Sequence, residues 1–193
     1  MRNPMLLAAL CAIVPACAAP VTAPDLSRWL AEAPQDRPAV LWLRGDRIVR
    51  AIAPLGPGAT PQVVRRRADA AAPGGEFAFL GREWGPLGNG FRLERLAADG
   101  QTTVRRTMLI DETGRLLDFG QSVPLVQVPQ HVLATALGVG RDVTEATLFA
   151  HPGSQPRWEC RVVDALGHTY LVTIDLEGRR LATLREVAAN VRV

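Results

Sequence analysis

The stretch Trp158-Glu159-Cys160-Arg161-Val162-Val163-Asp164-Ala165-Leu166-Gly167-His168-Thr169-Tyr170-Leu171-Val172-Thr173-Ile174-Asp175-Leu176-Glu177-Gly178-Arg179 reads as strand, turn, strand, turn. Trp158, Cys160 and Val162 share one parity and Glu159 and Arg161 the other, the period-two pattern of a strand with one dry face. In Asp164-Ala165-Leu166-Gly167 and Asp175-Leu176-Glu177-Gly178 the aspartate can accept from backbone N–H groups, and the glycine in fourth place tolerates positive φ. That combination suits a type I turn closed by a bulge between adjacent antiparallel strands.

The second of these turns has a counterpart upstream. Leu109-Ile110-Asp111-Glu112-Thr113-Gly114-Arg115 matches Thr173-Ile174-Asp175-Leu176-Glu177-Gly178-Arg179, and each lies downstream of a helical pattern that opens at a proline, Pro61 in one case and Pro129 in the other. Proline suits a first helical turn. Strands are predicted over 76–80, 91–96, 103–110 and 115–119 after the first helix, and over 143–149, 158–163, 169–174 and 179–184 after the second. A sheet with one apolar face needs a cover, and the preceding helix is the natural candidate. The expected fold is therefore α+β: two repeated helix-plus-antiparallel-sheet units, 57–124 and 125–193. A short helix and a hairpin over 25–56 precede them, with Arg44-Gly45-Asp46-Arg47 as the hairpin turn.

The stretch from Trp158 to Arg179 resembles a PepSY domain through Val162, Asp164, Gly167, Tyr170, Val172, Asp175 and Gly178. The upstream unit fits more loosely: Asp99-Gly100 and Asp111 to Gly114 are present, but it holds no tyrosine. The resemblance implies a non-catalytic binding module of the bacterial envelope, with a peptidase or another envelope protein as partner and no catalytic residue to carry over. The competing expectations are a periplasmic carrier of a small apolar ligand, held between helix and curved sheet, and an enzyme whose site is assembled from distant residues.

The N-terminus supplies an address. Arg2 is followed by an uncharged apolar run from Leu6 to Val14, too short to span a bilayer and suited to an export signal over 1–17, with a Pro/Ala-rich tether over 18–24. Two processing routes end it. Val14-Pro15-Ala16-Cys17 resembles a lipobox, which would make Cys17 a lipid anchor holding an outer-membrane lipoprotein; Ala16-Cys17-Ala18 is instead an A-x-A site for release into the periplasm or medium.

Composition excludes some partners. All 22 basic residues are arginine and the formal charge is only +3, short of the concentrated positive field that nucleic acid requires. His131, His151 and His168 stand at no metal-ligand spacing, so neither metal nor cofactor is expected. Ser27, Ser122 and Ser154 lack a nucleophile-elbow setting. Cys160 reads as a small buried hydrophobe. The segment Arg82-Glu83-Trp84-Gly85-Pro86-Leu87-Gly88-Asn89-Gly90 is read as a Gly/Pro-rich loop, making Trp84, Arg82 and Leu87 the candidate partner contacts.

Overall fold

A computed structural model describes Leu26, Arg28, Trp29 and residues 38–56, 58–99, 102–151 and 155–189. The export signal, Cys17 and the tether lie outside these. Ten strands follow one another: β1 (Ala39–Arg44), β2 (Arg47–Pro54), β3 (Glu76–Trp84), β4 (Gly90–Asp99), β5 (Thr102–Ile110), β6 (Leu116–Ser122), β7 (Asp142–Phe149), β8 (Arg157–Val163), β9 (Thr169–Asp175) and β10 (Arg180–Ala189). Helix α1 (Gln62–Ala71) joins β2 to β3. Helix α2 (Gln130–Leu137), preceded by a 3-10 turn at Leu125–Gln127, joins β6 to β7.

Each strand pairs antiparallel with the next, and β1 then pairs with β10 from Ala39 opposite Ala189 to Leu43 opposite Arg185. The result is a closed ten-stranded up-and-down barrel. This corrects the expected α+β architecture of two helix-plus-sheet units. Strands from 39–54, 76–122 and 142–189 form one continuous sheet, and β6 joins β7 through Gly120 opposite Phe149 where two separate units would part. Closure also removes the free strand edges through which a partner could add a strand.

Local turn chemistry builds the hairpins. Asp111 Oδ1 accepts from the backbone N–H of Thr113 (3.0 Å) and Arg115 (2.9 Å), and Asp164 Oδ1 from those of Leu166 (2.8 Å) and His168 (2.9 Å). Gly114, Gly167 and Gly178 all have φ between 82° and 87°, where a Cβ is strained.

The helices lie outside the barrel. Val64 and Ala68 of α1 pack on Phe91, Leu93, Met108 and Ile110 of β4 and β5; Val132 and Ala136 of α2 pack on Trp158, Cys160, Val162, Val172 and Ile174. A third outer patch, Ala51, Ala53 and Trp84, is covered by Trp29. The dry face seen in the sequence is thus the outer wall, and the charged face of opposite parity turns into the lumen.

Candidate functional site

Ten strands enclose more space than the eight that side chains alone can fill. Two open spaces lie along the lumen. One, of about 630 Å3, occupies the mouth at the β1–β2 and β3–β4 turns, Gln155 before β8 and the start of β10, and a deeper one holds about 260 Å3. Arg50, Arg92, Glu159 and Leu171 line both, so these four side chains stand between the two spaces.

The wall has two chemistries. Trp42, Ile52, Leu171 and Leu184 form a buried apolar cluster with Val40, Val49 and Phe79, contributed by β1, β2, β3, β9 and β10. Glycines make room for the rings. A Cβ at Gly81 would meet the Phe79 ring at 2.6 Å and one at Gly120 the Phe149 ring at 2.7 Å, so the aromatic groups lie flat against bare backbone.

Charged side chains line the rest of the lumen and reach the apolar wall at Arg50. Near the mouth a chain of ion pairs crosses five strands: Asp118 with Arg157 (2.7 Å), Arg157 with Glu159 (3.3 Å), Glu159 with Arg50 (3.4 Å), Arg50 with Glu83 (3.0 Å) and Glu83 with Arg92 (2.5 Å). A second girdle runs deeper, from Glu94 through Arg105, Glu145 and Arg161 to Glu186. The guanidinium of Arg157 also stacks on Phe149 at 4.7 Å, and that of Arg50 on Trp42 at 4.8 Å.

Burial by itself would push the Glu83 carboxyl up, but the guanidinium groups of Arg50 and Arg92 outweigh it and hold it below the ordinary carboxylate value. Burial likewise opposes the charges of Arg50 and Arg157. Glu83 and Glu159 overcome it for Arg50, and Glu159 with Asp118 for Arg157. Glu83, Arg50 and Arg157 are therefore held in their charged forms. The acids of the mouth network are engaged by cations, which suits binding and orientation rather than proton transfer.

Four donors on residues lining the deeper space lack a hydrogen-bond partner, Arg50 Nε and Arg161 Nε among them. Glu83 engages Nε and Nη2 of Arg92, while Nη1 is buried without a hydrogen-bond partner, and so is the indole Nε1 of Trp42.

The sequence-derived candidates are placed as follows. Trp84 is the last residue of β3, opposite Ala51; it is only 3% exposed, packs in the outer patch and also borders the mouth cavity. Leu87 is 43% exposed at the rim of the mouth. Arg82 bonds to Glu112 at 3.3 Å. Cys160 lies against α2 on the outer wall, and burial followed by the neighbouring Glu159 charge pushes its thiol up to about 11. His131 and His168 are engaged in turns, with Leu176 O and Asp164 respectively. Among the described residues no group of three His, Cys, Asp or Glu side chains could hold a metal. The luminal arginines and Trp42 were missed. The signal for them was the regular interleaving of Arg and Glu on the polar face of successive strands.

No family model matches the chain, and no curated protein matches it. Among solved structures it is similar to a Bacteroides eggerthii protein whose description provisionally assigns it to the periplasm, with 15% identity over 66% of this chain and 90% of that one and a TM-score of 0.49. A likeness of that size says nothing about the chemistry of the lumen.

Proposed function

We propose that this protein is an envelope carrier that binds a small apolar-bodied molecule inside the barrel. The observation that carries the reading is the mouth cavity of about 630 Å3, within the range of roughly 300–1,000 Å3 typical of ligand pockets and bounded on one side by apolar side chains. The export-like segment from Arg2 to Val14 supports an envelope location, and Cys17 as lipid anchor would tether the carrier there. A role in protein binding by strand addition loses its means in a sheet without edges.

The test is occupancy. The full-length protein, released from membranes with a mild detergent and exchanged into buffer, is titrated with N-phenyl-1-naphthylamine, a neutral fluorophore that brightens in apolar surroundings. Organic extracts are examined by mass spectrometry in parallel. Saturable binding near one per chain supports the carrier; no binding and an empty extract overturn it.

A further inference from the structure

Resting on that carrier reading, we propose that the ligand is an acyl chain ending in a single anionic head, carboxylate or phosphate. Its head is drawn down to Arg92 and Trp42, and its chain points to the mouth. Trp42 and Arg92 both line the deeper space. Trp42 Nε1 and Arg92 Nη1 are buried with no partner, as are Nε of Arg50 and Arg161 in the same lining, and an indole N–H and a guanidinium can only donate. A buried donor left unmade is costly, so the site asks for a group rich in acceptors.

Charge selects an anion over a neutral acceptor. Five arginines line the mouth cavity; Arg50, Arg92 and Arg157 are matched by Glu83, Glu159 and Asp118, so Arg44 and Arg47 carry the positive surplus. Arg44 and Arg47 stand exposed at the β1–β2 turn. The surplus positive field at the entrance guides an anion inward. Geometry is set in advance: Glu83 holds the Arg92 guanidinium through Nε and Nη2, leaving the Nη1 edge, and Arg50 stacked on Trp42 fixes the indole plane. The hydrocarbon end has its own place. Leu87 and Leu181, 43% and 54% exposed, are the apolar rim of the mouth and would cover the chain as it leaves the lumen.

The experiment displaces bound N-phenyl-1-naphthylamine at pH 8 with four compounds of equal chain length: dodecanoate, dodecyl phosphate, dodecanol and dodecyltrimethylammonium. At least one anion is expected to compete at a concentration about tenfold or more below that of dodecanol, since a hydrogen bond to a charged group discriminates by that order. Whichever anion wins identifies the head. In Trp42→Phe, which keeps an aromatic ring and loses the donor, the preference for the anion over dodecanol, each measured against the variant's own fluorophore affinity, should shrink. In the double variant Glu83→Gln with Arg92→Met it should vanish. If the fluorophore binds and dodecanol or the cation competes as well as both anions, the anionic head is refuted and the carrier stands. If the fluorophore does not bind and the organic extract is empty, both readings fall; an extracted ligand without an anionic head refutes the head alone.

Discussion

Arg92 grips Glu83 with two nitrogens on two oxygens, Nε 2.5 Å from Oε2 and Nη2 3.0 Å from Oε1, and both side chains are all but sealed from solvent. Such a buried pair is dear to break from one side, because the survivor keeps an uncompensated charge. Arg92→Met alone is expected to lower stability by about 3–5 kcal/mol. Glu83→Gln with Arg92→Met should recover part of that loss, because Arg50 then retains Glu159. Urea unfolding of the two variants checks the order; equal losses would show that the Arg92–Glu83 coupling is negligible.

The same pair sets the acid limb of the stability curve. The Glu83 pKa is lowered in the fold, so its contribution is fully present above its ordinary value near 4.5 and is lost as pH falls through the lower folded value. Glu83→Gln removes this dependence. Between pH 5 and 2 the variant should lose stability less steeply than the wild-type protein, whatever its stability at neutral pH. Parallel acid limbs in denaturant titrations would contradict this.

Much of the strand ladder was legible because it is written locally. Asp111, Asp164 and Asp175 with their glycines announce their turns within four residues, and Pro61 and Pro129 announce the helices. Barrel closure was not legible. The contact of Leu41 with Val187 joins residues at opposite ends of the chain, and no local pattern encodes it. The lumen was misread for a related reason: Glu159 and Arg161 have the alternation of a wet face. Only their distant partners, Arg50 for Glu159 and Glu145 and Glu186 for Arg161, reveal an interior one. Trp84, followed by Gly85-Pro86, reads as loop until its pairing with Ala51 places it in the sheet.

The two matching turns meet their helices in the same way, which yields a paired prediction. A Cβ on Gly114 would lie 2.7 Å from the Val63 side chain, and one on Gly178 would lie 2.7 Å from the His131 ring. Both glycines also hold positive φ. Gly114→Ala and Gly178→Ala should each cost about 1–2 kcal/mol through the left-handed backbone alone. Gly178→Ala should in addition disturb the contact of His131 Nε2 with Leu176 O, 3.0 Å in the native fold. Thermal melts measure the first effect and the His131 ring resonances the second.

Cys160 offers a probe of the outer wall. Its thiol is buried under α2 and raised to about 11, so little thiolate exists at pH 8. Iodoacetamide should leave Cys160 unmodified in the native protein and alkylate it fully in denaturant, as read by peptide mass spectrometry. Rapid native labelling would mean that α2 opens from the barrel, a motion its packing on Trp158, Val162 and Val172 argues against.

Leu171 is the apolar residue common to both open spaces, and it faces Leu184 across the β9–β10 pair. If the ligand's chain lies along this wall, a polar group here meets hydrocarbon with no partner of its own and desolvation opposes binding. Leu171→Gln should weaken N-phenyl-1-naphthylamine by roughly tenfold or more, the scale of one unmatched buried amide. Thr144, on β7 and exposed, supplies the comparison: Thr144→Gln should leave the affinity unchanged. Binding that ignores both substitutions would move the ligand out of the lumen, and with it the role assigned to Trp42 and Arg92.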